Sequence, residues 1–194
     1  MARSGKGPTR QSTLRIIGGQ WRGHRLTFTA AEGLRPTPDR VRETLFNWLS
    51  PVITGARCLD LFAGSGALGL EALSRGALCC DFVDTSTAAL RQIEHHLQTL
   101  QADTVGRCHP LPALTFLQGA RGPYDIVFID PPFSRGLAAP VCALLGSSGL
   151  VAENGFIYVE TAAGDPAPTV PAQWRLHRDK VAGTVAYRLF ENNA

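Results

Sequence analysis

Between residues 57 and 160 the chain alternates short apolar runs with stretches of helical length, and this alternation limits its fold more than any other feature. Strands are predicted at Arg57 to Phe62, Cys79 to Asp84, Val105 to His109, Tyr124 to Asp130 and Gly155 to Glu160. Helices are predicted between them, at Ala67 to Arg75, Thr87 to Leu100, Ala113 to Gln118 and Leu137 to Leu145. Strands that alternate with helices form a parallel sheet covered on both faces, which places the chain in the α/β class. After Glu160 the helices stop. A Pro/Gly/Ala stretch from Gly164 to Pro171 leads into Gln173 to His177 and Thr184 to Phe190, read as two paired strands closing a sheet edge.

The first 50 residues are of a different kind. Residues 1–13 are small and polar and are expected to be a disordered basic tail. Leu14 to Ile17 and His24 to Thr29 favour strand and flank Gly18-Gly19, which reads as a hairpin. Leu34 to Pro38 is an extended linker, because residues before proline avoid the helical region. Thr37 then caps a helix with Pro38 in its first turn and Val41, Leu45, Trp48 and Leu49 on its apolar face. The expected division is therefore a tail over 1–13, a hairpin and helix over 14–50, and an α/β domain over 51–194. Charge follows the same division: residues 1–50 hold nine Lys/Arg against three acids, and the remainder ten against thirteen. A basic block fits contact with a polyanion, whose counterions it displaces, and equally fits a solvated basic tail.

Three segments carry chemistry. Gly64-Ser65-Gly66-Ala67-Leu68-Gly69 is a G-x-G-x-x-G pattern between an apolar strand and a helix, where backbone can approach a nucleotide-like ligand. Asp60 lies within that strand; its carboxylate would repel a pyrophosphate but suits a cationic amino group such as that of a methionine moiety. Asp84 closes the next strand, fifteen residues after Gly69, where an acid can accept hydrogen bonds from two ribose hydroxyls or cap the following helix. Asp130-Pro131-Pro132-Phe133 ends the apolar run Ile126 to Ile129. Ligands of open α/β sheets sit beyond the carboxyl ends of the strands, where this tetrapeptide falls. The prolines stiffen the backbone and donate no hydrogen bond, so a carboxylate and a carbonyl can receive both hydrogens of an NH2 group. Phe133 offers a flat face for an aromatic base, as enzymes acting on extruded bases require.

Other chemistries find no support. The five cysteines are odd in number, include adjacent Cys79 and Cys80, and lack C-x-x-C spacing, so they fit small buried hydrophobes in a reducing cytoplasm rather than disulfides or zinc ligands. No apolar run approaches the roughly 18 residues of a membrane span, and no signal peptide pattern opens the chain. No histidine lies in a motif; His95 and His96 read as helix-surface residues.

The chain resembles the bacterial small-subunit ribosomal RNA guanine-N2-methyltransferase D family. Four segments carry the likeness: RIIGGQWRG (Arg15 to Gly23), LRPTPDRVRETLFNWL (Leu34 to Leu49), CLDLFAGSGALGLEALSRGA (Cys58 to Ala77) and DIVFIDPPF (Asp125 to Phe133). The tail from Leu176 to Phe190 is also similar. The resemblance implies a Rossmann-like class I methyltransferase fold, with a seven-stranded mostly parallel sheet, one antiparallel strand and an N-terminal hairpin that helps hold RNA. It implies S-adenosyl-L-methionine as methyl donor and one guanine of 16S rRNA, in the small subunit or its assembly intermediate, as acceptor. Asp60, Phe62, Gly64, Gly66 and Gly69 would then surround the methionine moiety, Asp84 the ribose and backbone near Leu114 the adenine. Asp130 would touch both the cofactor and, with Pro131 and Phe133, the target base. Arg15, Arg22, Arg25, Pro132 and Phe133 would contact RNA. Arg35-Pro36-Thr37 matches the family's extra cofactor motif, or is a linker and helix cap. The stretch Leu111-Pro112-Ala113-Leu114 departs from related folds in having no polar side chain for the adenine amine. A cytoplasmic monomer is implied. The same amine clamp serves adenine-N6 methyltransferases of DNA or RNA, which is the alternative reading.

Overall fold

A computed structural model of the chain describes residues 11–29, 38–133 and 136–193. Strands β1 (Gln11–Arg15) and β2 (Arg25–Thr29) pair antiparallel, with Leu14 opposite Leu26 and Arg15 opposite Arg25. Helix α1 (Asp39–Leu49) buries Val41, Leu45 and Leu49, as its spacing predicts, together with Phe46 and the whole of Arg42. Thr37, the predicted cap, lies outside the described residues, and Pro38 stands at the N-cap.

The main sheet contains β3 (Arg57–Asp60), β4 (Cys79–Val83), β5 (Gly106–His109), β6 (Tyr124–Ile129), β7 (Val151–Ala162), β8 (Trp174–Ala182) and β9 (Val185–Asn192). Their spatial order is β5-β4-β3-β6-β7-β9-β8. The strands from β5 to β7 run parallel, and β9 is antiparallel to both β7 and β8. One strand is thus reversed among seven, as expected. Alternate residues of β3 and β6 face opposite layers. Cys58, Ile126 and Phe128 pack with α1, α2 (Ala67–Ser74) and α3 (Thr87–Thr99). Leu59, Val127 and Ile129 pack with α4 (Ala113–Gly119) and α5 (Ala138–Ser148).

The hairpin joins the first of these layers: Leu14, Ile16, Leu26 and Phe28 lie in one buried cluster with α1, α2 and α3. Its attachment is polar as well as apolar. Glu71 of α2, with no exposed side chain, accepts the backbone N–H groups of Ile17 and Gly18 at 2.8 Å each and pairs with Arg75 at 2.7 Å and Arg42 at 3.5 Å. Ser74 Oγ donates to the Gly18 carbonyl and accepts the Trp21 N–H. Arg42 in turn donates to the Arg15 carbonyl and to Asp39.

Several expectations are corrected. The reversal of the hairpin spans Ile16 to His24, closed by hydrogen bonds between those two residues and between Gly23 and Ile16. Gly18 and Gly19 lie within it, as expected, and also let the chain touch α2, since a Cβ on Gly19 would stand 1.8 Å from the Ser74 carbonyl oxygen. Strand β1 begins at Gln11, inside the stretch expected to be a disordered tail, because Gln11 to Thr13 find partners in Thr27 to Thr29; residues 1–10 lie outside the described residues. His96 is not a surface residue: it is 4% exposed and its Nε2 lies 3.0 Å from the Thr27 carbonyl, tying α3 to β2. Strand β7 starts at Val151, four residues early, where a register shift against β6 absorbs Ala152 to Gly155. All five cysteines are free, three buried and two half-buried.

Candidate active site

In a doubly wound sheet the ligand crevice opens where the strand order reverses. Here β4 and β5 extend to one side of β3, and β6 and β7 to the other, so the crevice falls at the carboxyl ends of β3 and β6. The sequence places an acid at the end of each strand around that point: Asp60 as the last residue of β3, Asp84 after β4, Asp130 after β6 and Glu160 near the end of β7. Motifs mark the first three as a site in the sequence itself. Glu160 carries the same signal, an acid closing an apolar strand, but no motif surrounds it, and sequence reasoning misses it.

The glycine turn is built from the backbone outward. Gly64 and Gly66 have φ of 52° and 78°, left-handed values that favour glycine. The turn is pinned on two sides. The Leu61 N–H donates to the Phe128 carbonyl of β6, and the Ala63 N–H to the Val83 carbonyl of β4. Asp84 accepts the Gly64 N–H at 2.9 Å on one oxygen and the Ser86 N–H at 2.7 Å on the other. It thus ties the glycine turn to the segment leading into α3, while the cap of that helix is Ser86 and not Asp84. Each carboxylate oxygen still has a lone pair for a ligand hydroxyl. Phe62 is half-buried against the second layer.

Asp60 is 2% exposed and accepts the Gly69 N–H at 3.0 Å. Burial, reinforced by the neighbouring carboxylates of Asp130 and Asp84 and offset by the Gly69 N–H, pushes its carboxyl up to about 7. A carboxyl in that state gains from a cation more than an ordinary one does. Gly69 itself makes room for packing: a Cβ there would lie 2.2 Å from Phe82 Cε1. Its lack of a side chain lets α2 lie against β4, and its N–H is spent on Asp60.

At the other wall, Pro131 is buried while Pro132 and Phe133 are exposed, the latter at 39%. The corner thus turns its aromatic face outward. Asp130 is half-buried and sits against Glu160, whose carboxyl is 2% exposed. Burial and the adjacent Asp130 hold the Glu160 carboxyl well above the usual carboxylate range. Leu114 lies half-buried on α4, which starts after Pro112 just beyond β5. Arg35 and Thr37 lie outside the described residues.

The basic residues of the hairpin form a separate surface. Arg15, Arg22 and Arg25 are exposed, with Arg15 and Arg25 facing each other across the strand pair and Arg15 also 3.3 Å from Asp39. Like charges directly opposite are unfavourable without an anion to share. Among the described residues no group of three or more His, Cys, Asp or Glu is arranged to hold a metal ion. No helix there is long and apolar enough to cross a membrane.

A family model described as conserved hypothetical protein 95 matches residues 14–191. The chain is 53% identical to ribosomal RNA small subunit methyltransferase D of Escherichia coli over 93% of its own length and 91% of the relative's. It is 43% identical to the protein of the same name from Haemophilus influenzae, covering 95% and 97% of the two chains. A solved structure from Escherichia coli, described as a candidate methyltransferase, superposes with a TM-score of 0.84 at 50% identity, over 93% of this chain and 98% of that one.

Proposed function

The chain belongs to the small-subunit ribosomal RNA methyltransferase D family, and from that premise we propose that it methylates the exocyclic N2 of one guanine in 16S rRNA. The chain is an S-adenosylmethionine-dependent rRNA methyltransferase; the choice of base and atom is our reading. The observation that carries it is the pairing of a carboxyl crevice with an outward corner. Asp60 and Asp130 end adjacent strands β3 and β6, and Pro132 and Phe133 project from that edge into solvent.

The residues present fit the donor. S-adenosylmethionine supplies an activated methyl group on a sulfonium, together with an ammonium and a ribose. Asp60, with its carboxyl pushed up to about 7 by burial and two neighbouring acids, is the group that would face a cation. Gly64 and Gly66 would admit the methionine moiety close to backbone, and Asp84 would take the ribose. Arg35 and Thr37 would close over the methionine carboxylate. Backbone near Leu114 would meet the adenine.

The rest of the work falls on alignment. A guanine N2 is a weak nucleophile because its lone pair is delocalised into the ring. Asp130 and the Pro131 carbonyl would accept its two hydrogens, favour a pyramidal nitrogen and stabilise the positive charge that grows there. Phe133 would stack on the base. The proton can leave after transfer, so no strong general base is required. Residues 14–50 would grip the RNA, with Arg15, Arg22 and Arg25 on phosphates. The natural compartment of such a substrate is the cytoplasm, and a monomer suffices.

The test is tritiated-methyl transfer to small ribosomal subunits, naked 16S rRNA and duplex DNA, followed by digestion to nucleosides. N2-methylguanosine from the ribosomal substrate is the expected product. N6-methyladenine from RNA or DNA would replace this reading with the adenine alternative.

A further inference from the structure

The clamp Asp cannot hold a purine amine in one geometry unless its own carboxylate is fixed. Parallel pairing of β6 and β7 sets Ile129 opposite Val159, so the next residues, Asp130 and Glu160, lie side by side at the strand ends. Side by side on one face of the sheet, the two carboxyl groups are placed to share a hydrogen bond. Two carboxyl groups can share such a bond only if one carries a proton. Glu160 is the one: it is 2% exposed, whereas Asp130 is half-buried and nearer solvent, and taking charge out of water is costlier at the more enclosed site.

We propose that Glu160 is the positioning residue of the amine clamp, donating a hydrogen bond from its protonated carboxyl to Asp130 and leaving Asp130 ionised toward the target. This rests on the reading of Asp130 as the group that holds the amine. It goes beyond that reading by assigning an unassigned buried acid. The surroundings suit a neutral acid. The Tyr158 hydroxyl, fully buried on the same strand, stands beside Glu160, and burial raises that phenol well above its ordinary value, so it too stays neutral. Across the sheet Glu160 pairs in register with Tyr187 of β9. The site therefore holds one negative charge on Asp130 and keeps the group behind it uncharged. With the donor occupying one part of the Asp130 carboxylate, the remaining lone pairs are aimed rather than free to rotate.

The experiment compares Glu160→Gln, Glu160→Leu and Asp130→Ala in methyl transfer to small subunits, with S-adenosylmethionine affinity measured by calorimetry on each. Gln keeps a neutral donor and should keep kcat within about threefold of the parent, while Leu removes the donor and should lower kcat by about tenfold or more. Cofactor affinity should stay within about twofold in both, because Glu160 acts on the amine and not on the donor. Full turnover in Glu160→Leu beside an inactive Asp130→Ala overturns the positioning role and leaves the clamp intact. Near-normal turnover in Asp130→Ala removes the clamp and this role with it. A Gln variant as impaired as Leu, or a parallel loss of cofactor affinity, also overturns it, since either marks a general structural part. Should the Leu variant fail to fold, infrared difference spectra of the parent against Glu160→Gln at neutral pH decide. A protonated-carboxyl stretch lost in the Gln protein is expected, and its absence from the parent contradicts the proposal.

Discussion

Asp60 stands where burial and two neighbouring acids resist its ionisation, and a bound cation reverses that balance. Its carboxyl, raised to about 7, is mostly protonated at pH 6 and mostly ionised at pH 8. A cationic donor pairs with the ionised form, so its affinity should rise with pH, by up to about tenfold per unit below 7, and level off above it. Titration calorimetry from pH 6 to 7.5 checks this. Asp60→Asn, which can still accept the Gly69 N–H, should bind more weakly at the top of that range and show little dependence on pH. An unchanged slope in Asn would assign the titration to another group. The same acid is readable in the sequence because a carboxylate inside an apolar strand has few structural uses. Asp84 and Asp130 are legible for that reason too. Glu160 is not, since only the register of β6 against β7 reveals that it touches Asp130. Arg42 and Glu71 escape notice because the contacts that join them to each other and to Arg15, Ile17 and Gly18 span 27 or more residues of sequence.

Helix α2 joins two functions at the scale of an element. Its first turn follows the glycine loop, and its later residues Glu71 and Ser74 grip the hairpin. Every residue of α2 is buried, the pattern of a helix apolar on all sides, which makes it easy to place but hides the role of the one acid within it. Removing Glu71 takes one of two carboxylate partners from the buried Arg42, strips Arg75 of its ion pair and leaves two hairpin N–H groups unpaired. Glu71→Ala should therefore cost about 3–5 kcal/mol, measured by denaturant unfolding, and should release hydrogen-exchange protection in residues 14–28 first. Uniform loss of protection across the sheet would show instead that the hairpin has no separate attachment. Gly69→Ala drives a methyl group into Phe82, and the helix can give way only by moving off β4. Despite the better helix propensity of alanine, a net destabilisation of about 1–3 kcal/mol is expected in thermal melts. The elements themselves are legible from period and punctuation. Their edges are less so: the β7 start, shifted by an irregular register, and the early start of β1 at Gln11 depend on contacts with other elements.

Over the whole molecule, charge and crevice divide the labour. The basic first 50 residues carry the hairpin, whose exposed Arg22 and Arg25 are available to phosphates, while the acidic crevice suits a cationic donor. Replacing both arginines by alanine should raise KM for small subunits and leave donor affinity unchanged. Each RNA phosphate that no longer meets an arginine should also lower the slope of log affinity against log salt by about 0.7–0.9. An unaltered salt slope would move the RNA-binding surface elsewhere. The joining of these parts is legible only as far as the family likeness reaches, because sequence alone does not show that hairpin and sheet share one buried cluster. The central claim is that the corner after β6 serves chiefly the base, its contact with the donor adding little to donor affinity. Asp130→Ala, assayed by calorimetry for S-adenosylmethionine binding and by single-turnover methyl transfer, tests it most directly. Donor affinity within about threefold of the parent with turnover reduced by about a hundredfold or more is expected, and near-normal turnover would contradict the account.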